Sequence, residues 1–135
     1  MRPPRVNGIL ETSLYVESAA RAAEFYQRVL GFEVIDFAGD QLDDSTRLCV
    51  LRAGDRDVLL LFKRGGTSDT DATGSIHVAF GISRADLAAW KQWLGEQGIP
   101  IEDERAWKHG GQAVYFRDPD GNLLEVVTPG VWAIY

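Results

Sequence analysis

Phe116-Arg117-Asp118-Pro119-Asp120-Gly121-Asn122-Leu123-Leu124-Glu125-Val126-Val127 reads as strand, tight turn, strand. Asp118-Pro119 opens the turn because the proline ring pre-sets φ. Asp120-Gly121 accepts a positive φ, and Asn122 suits the turn exit. The run Leu123 to Val127 is apolar and strand-like, yet it carries one carboxylate, Glu125. A glutamate inside a short apolar strand either points to solvent or is kept inside for chemistry. The rest of the chain decides which.

Upstream of this stretch, Ile76 to Ile82 reads as a strand. Ser83 can cap a helix, with Asp86 three residues on in a capping-box position. Leu87, Trp90, Leu94 and Gln97 mark successive helical turns, and Gly98 ends the helix. Ile99 to Ile101 starts a strand that continues through Arg105 to Trp107. Lys108-His109-Gly110-Gly111 is a turn, and Ala113 to Phe116 leads into the opening stretch. The order is βαβββ. The first half of the chain has the same order. Residues 9–16 alternate Leu10, Thr12, Leu14 and Val16 on one face with Ile9, Glu11, Ser13 and Tyr15 on the other. Ser18 caps a helix whose stripe is Ala19, Ala22, Ala23, Tyr26, Val29 and Leu30, and Gly31 closes it. Phe32 to Phe37, Thr46 to Arg52 and Val58 to Phe62 follow as strands. A polar loop covers 38–45, and Ala53-Gly54-Asp55-Arg56 forms a hairpin turn.

One unit therefore occurs twice, about 7–64 and about 75–130, joined by the polar, linker-like segment Gly65 to Gly74. Gly31-Phe32 in the first copy is echoed by Gly98-Ile99 in the second. Two units are too few for a solenoid. They predict an α+β fold: one domain over 1–135, built of two tandem βαβββ modules whose mixed curved sheets form a concave interior.

The totals fit this reading. The chain has 135 residues, enough for one domain with a real core. Its net charge of −6 argues against nucleic-acid or anionic-membrane partners. No apolar run approaches the ~18 residues needed to span a bilayer, and Met1-Arg2-Pro3-Pro4-Arg5 is not followed by a signal-peptide-like segment. Cys49 is the single cysteine, so no internal disulfide forms, and a reducing, cytoplasmic setting is expected. It lies in the apolar run Leu48 to Leu51 with no local activator and reads as a small core residue.

Superposing the two copies locates the chemistry. An offset of 66 residues pairs Glu11 with His77, and an offset of 65 pairs Leu60 with Glu125. Strand alternation puts Leu14, Val16, Ile76, Val78 and Phe80 toward the helices. Glu11 and His77 then point into the concave side. Glu125 shares its face with Leu123 and Val127, so that interior is part apolar and part ligating. A single His or Glu in a strand is ordinary. Here three ligand-type side chains fall at related strand positions. Glu11, His77 and Glu125 on one concave surface can hold a divalent cation and leave coordination positions open, the logic of a facial triad. Two carboxylates favour Mn, Fe, Mg or Co, with Zn and Ni also open.

Three stretches carry a family resemblance: Glu24-Phe25-Tyr26-Gln27-Arg28-Val29-Leu30-Gly31-Phe32, His77-Val78-Ala79-Phe80, and Tyr115 through Glu125. They resemble the vicinal oxygen chelate superfamily, which includes glyoxalase I, bleomycin-resistance proteins, fosfomycin-resistance enzymes and extradiol dioxygenases. The resemblance implies paired βαβββ modules, homodimer assembly, and metal ligands from the first and last strands of the modules. His77 and Glu125 match the usual His and Glu positions. Glu11 stands where His or Gln is more usual. Leu60 stands where glyoxalase I has a second glutamate. Without that proton-shuttling carboxylate, glyoxalase-type isomerisation is disfavoured, although Glu11 could serve as base. The Glu-for-His change likewise weakens a literal ring-cleaving dioxygenase.

The expected function is a metal-dependent enzyme whose cation chelates adjacent oxygens of a small-molecule substrate, with dioxygenase or lyase chemistry ahead of isomerase. Glu11 and Glu125 would be the catalytic groups, and Tyr15, Leu60, Trp107, Tyr115 and Arg117 the substrate contacts. Trp132 adds aromatic surface, Lys108 and His109 sit on a turn, and Arg52 is a second candidate for an anionic group. The alternative is a ligand-sequestering protein of the bleomycin-resistance kind, without catalysis.

Overall fold

The computed structural model describes residues 2–5, 9–65, 74 and 76–135. The chain divides into two compact units, Met1–Ala72 and Thr73–Tyr135. The first runs β1 (Glu11–Val16), α1 (Ala19–Leu30), β2 (Glu33–Phe37), β3 (Leu48–Ala53) and β4 (Asp57–Lys63). Its sheet has the order β1-β4-β3-β2, with β1 parallel to β4 and the other neighbours antiparallel. The second runs β5 (His77–Gly81), a single 3-10 turn (Arg84–Asp86), α2 (Leu87–Glu96), β6 (Asp103–Ala106), β7 (Gln112–Arg117) and β8 (Leu123–Val127). Its order, β5-β8-β7-β6, repeats the first, with β5 parallel to β8. The fold is α+β, two βαβββ modules with one mixed four-stranded sheet each.

Each unit packs one sheet face against its helix. In the first, Leu14, Val16, Cys49, Leu51, Leu59 and Leu61 are buried, as are Ala22, Ala23, Tyr26 and Val29 of α1. Burying a Leu or Val of this kind contributes roughly 1.5–3 kcal/mol each. Tyr26 stacks on Phe32 at 6.0 Å and meets Phe25 edge-on at 5.3 Å. Ser18 caps α1, its Oγ accepting from the Arg21 amide at 3.3 Å, and Gly31 closes it at φ 71. In the second unit Val114, Phe116, Leu124 and Val126 are buried, together with Leu94 of α2. Among the described residues no helix is long and apolar enough to cross a membrane.

The strand ends differ from the sequence expectation for reasons of pairing. Ile9 and Leu10 are exposed and precede β1, whose first partner is Val58 near the start of β4. With no partner strand further back, the alternating pattern there has nothing to pair with. Ile99 to Ile101 is not strand: Pro100 lacks an N–H, and β6 begins at Asp103, opposite Tyr115. The expected Ser83 capping box does not form. Ser83 precedes the 3-10 turn and Asp86 precedes α2, and neither side chain makes a capping hydrogen bond. Most of the expected linker (66–73) lies outside the described residues.

Candidate functional site

The turn before β8 is built around Asp118. Its Oδ1 accepts from the Asp120 and Asn122 amides, both at 2.9 Å, and its Oδ2 accepts from Asn122 Nδ2 at 2.8 Å. The Gly121 amide donates to the Asp118 carbonyl at 3.0 Å, with Gly121 at φ 81. Asp118 and Asn122 are themselves buried. This closed turn sets where β8 begins, and so which of its side chains face away from α2.

Alternation then sorts β8. Leu124 and Val126 are fully buried against the helix side. Leu123, Glu125 and Val127 take the opposite, open face. Glu125 pairs in register with Ala79 on β5 and Tyr115 on β7, and Tyr115 in turn pairs with Asp103 on β6. The next row on one side is His77, Leu123 and Arg117. The next on the other side is Gly81, Val127, Ala113 and Arg105.

Three candidate residues meet on this face. His77 Nε2 lies 2.5 Å from Glu125 Oε2. The His77 and Tyr115 rings are 6.0 Å apart at 46°. Glu125 is 6% exposed and Tyr115 7%, whereas the His77 side chain is half exposed. Burial, the Glu125 charge and a hydrogen bond to that carboxylate push the Tyr115 phenol above its ordinary pKa. The phenol therefore stays protonated at neutral pH. Two side chains not anticipated complete the cluster. Arg105 sits over the Tyr115 ring at 5.4 Å and pairs with Asp103 at 3.0 Å. The bond and charge of Asp103 hold the guanidinium pKa above its ordinary value. Both residues share alternation with Trp107, but in sequence they look like solvated charges on an edge strand.

The other predicted residues are placed as follows. Arg117 is engaged by Glu102 Oε2 at 2.9 Å and the Gly121 carbonyl at 3.0 Å. Trp107 lies one residue past β6 in the turn closed by the Gly110 amide bonding to its carbonyl. Glu11, Tyr15 and Leu60 belong to the first unit, on the sheet face opposite Leu14 and Leu61. Glu11 pairs with Val58 and Ser13 with Leu60, the same rungs that His77–Leu123 and Ala79–Glu125 occupy in the second unit. Tyr15 stacks on Phe62 at 5.6 Å. Among the described residues, no three His, Cys, Asp or Glu side chains form a group that could hold a metal ion by themselves. The second unit thus offers a two-ligand pair.

That pair fits a metal in type and spacing. It joins an imidazole nitrogen to a carboxylate oxygen. Two neighbouring ligands held about 2.1 Å from one ion stand about 3 Å apart, so a spread of about half an ångström makes the pair a chelate.

Comparison with known proteins identifies the family. The family profile described as the Glyoxalase/Bleomycin resistance protein/Dioxygenase superfamily matches residues 8–126. The crystal structure of lactoylglutathione lyase from Agrobacterium tumefaciens superposes with a TM-score of 0.80 at 31% identity, covering 98% of this chain and 99% of that one. Metallothiol transferase FosB from Staphylococcus haemolyticus is 27% identical over 91% of this chain and 84% of its own length. The same-named protein from Shouchella clausii is 44% identical over 54 residues, and there this chain spans only 37% of the relative's length. With two βαβββ modules and a profile match across nearly all of them, the chain belongs to the Glyoxalase/Bleomycin resistance protein/Dioxygenase superfamily.

Proposed function

We propose that this chain is a metal-dependent enzyme acting on a small molecule with two adjacent oxygens. His77 and Glu125 would be metal ligands, and Glu11 the third ligand and base. The observation that carries the reading is the contact of 2.5 Å between His77 Nε2 and the buried Glu125 carboxylate. A divalent cation bound there supplies Lewis-acid polarisation of the substrate oxygens. The chain's own residues do the rest. Tyr115 donates a hydrogen bond to Glu125 and fixes that carboxylate. Its protonated phenol and the apolar Leu123 and Val127 limit water on the face. Glu11, exposed at the start of β1, would be the group that accepts a proton from substrate. Tyr15, Leu60, Trp107, Tyr115 and Arg117 remain the proposed substrate contacts.

The names of the relatives, metallothiol transferase and lactoylglutathione lyase, favour lyase or thiol-transfer chemistry over a dioxygenase. The reading includes a homodimer in a reducing compartment, checked by sedimentation. Metal content of the purified protein, followed by Mn²⁺ titration of His77→Ala and Glu125→Ala, tests it. Stoichiometric metal that both variants lose supports the enzyme. A native protein that takes up no metal yet binds ligand supports sequestration instead.

A further inference from the structure

The segment after β8 returns to the open face of the second sheet. Its first residue, Thr128, exchanges bonds with Gln112: the Thr128 amide donates to the Gln112 carbonyl and the Gln112 amide to Thr128 Oγ1, both at 2.9 Å. Arg84 then ties it to the β6–β7 turn, donating to the Gly110 and Pro129 carbonyls at 3.1 Å each. Gly111 and Gly130 touch. A Cβ on Gly111 would stand 2.7 Å from Gly130 carbon, and one on Gly130 would stand 2.6 Å from Gly111 nitrogen. The segment closes on itself, the Gly130 amide donating to the Tyr135 carbonyl at 3.0 Å and the Tyr135 amide to the Trp132 carbonyl at 3.2 Å.

This folding delivers the Tyr135 ring onto Gly81. A Cβ on Gly81 would lie 2.5 Å from the Tyr135 hydroxyl and 2.9 Å from Cζ, so only glycine leaves the ring its seat. The hydroxyl lies 3.4 Å from the Ile82 carbonyl. Gly81 is on the same strand face as His77 and Ala79. Beneath the ring its row is the apolar pair Val127 and Ala113, with Arg105 at the far edge leaning over Tyr115. The Glu125 row is one step away, about 7 Å at the usual strand rise. The face is therefore graded, with ligating groups at His77 and Glu125 and an apolar end roofed by Tyr135.

We propose that Tyr135, seated over Gly81, is the size-selecting wall of the substrate site, limiting the apolar group of a substrate whose oxygens are held at His77 and Glu125. The proposal rests on the metal-site reading above. The substrate class is a small oxygen chelator carrying a short apolar substituent.

Acetohydroxamate and benzohydroxamate test it, because they present the same chelating oxygens with a small or a bulky apolar group. Their affinities for the Mn²⁺-loaded protein are measured by calorimetry. In Tyr135→Ala, benzohydroxamate should gain about tenfold relative to acetohydroxamate. Gly81→Ala, which pushes the ring off its seat, should shift the ratio the same way, and Tyr135→Phe should keep the wild-type ratio. Unchanged ratios in Tyr135→Ala and Gly81→Ala, with both probes still binding, overturn the wall alone. Failure of acetohydroxamate, the small probe, to bind the metal-loaded wild type overturns the metal reading, and the wall with it.

Discussion

His77 and Glu125 meet diagonally. In the parallel pairing of β5 with β8, His77 faces Leu123 and Glu125 faces Ala79, yet Nε2 and Oε2 are 2.5 Å apart. The corresponding diagonal in the first unit joins Glu11 to Leu60. The backbone repeats, and the chemistry does not. Glu125 is buried where its counterpart is a buried leucine. A buried carboxylate costs stability that a leucine does not, so its presence calls for a functional account.

Glu125→Leu should therefore separate stability from function. It copies what the first unit already accommodates at the same rung. His77 loses its partner but is half exposed and able to find water, and the buried Tyr115 phenol loses its bond to Glu125. The metal-free variant should be as stable as wild type or more stable, by up to about 2 kcal/mol. Metal binding should be lost. Urea unfolding in the presence of chelator, beside metal titration, reads both quantities. A loss of several kcal/mol without metal would mean Glu125 is structural.

Asp118 should behave in the opposite way. Its carboxylate accepts three hydrogen bonds inside a buried turn. Asp118→Ala strands those donors and should destabilise the second unit by roughly 2–4 kcal/mol. Because the turn sets the start of β8, metal binding should weaken even though Asp118 touches no ligand. Hydrogen exchange of the Leu123–Val127 amides should rise in step. Unchanged exchange with weakened metal binding would contradict this route.

Most of the fold was legible because each pattern had one physical solution. Leu123–Val127 has the bounds its apolar run suggested, and α1 starts and stops at Ser18 and Gly31 as their chemistry requires. The errors fell where the partner decides. Ile9 and Leu10 alternate correctly, but the pairing of β1 with β4 starts only at Glu11, opposite Val58. His77 and Glu125 were legible only through the repeat, since neither is unusual alone. Asp103 and Arg105 were not, because charges on a short edge strand look like solvated surface until Tyr115 is seen beneath them. Tyr135 was hidden for another reason: its place depends on the Gly111–Gly130 contact, which no local pattern announces.

The cap of α1 gives a pH prediction. Ser18 Oγ donates to Asp44 Oδ1 at 2.7 Å while accepting from the Arg21 amide, and Arg21 pairs with Asp44 Oδ2 at 3.1 Å. These bonds, Ser18 first, hold the Asp44 carboxyl below its ordinary 3.8. A depressed carboxyl pKa stabilises the fold above the unfolded value, and that contribution disappears as pH falls through the folded one. Asp44→Asn should thus lower the thermal midpoint at neutral pH, with a gap to wild type that holds down to about pH 4 and closes only below it. Ser18→Ala removes the cap together with the bond to Asp44 and should cost about 1 kcal/mol at neutral pH, with the share owed to Asp44 lost at the same low pH. A gap for Asp44→Asn that persists at low pH would rule out the charge as its cause.

Cys49 should be chemically silent in the native protein. It lies on β3 between Leu61 of β4 and Phe37 of β2 in register, and it is fully buried. Burial pushes its thiol up to about 11. The thiolate is the reactive form, and at pH 8 the raised pKa cuts the thiolate fraction by about two orders of magnitude relative to an ordinary thiol, before access is considered. A disulfide reagent such as Ellman's should react immediately in denaturant. With the native protein it should react only as fast as β3 opens, so the native rate should rise with urea along the unfolding curve. Fast native labelling that is independent of urea would refute the buried assignment and reopen Cys49 as a nucleophile.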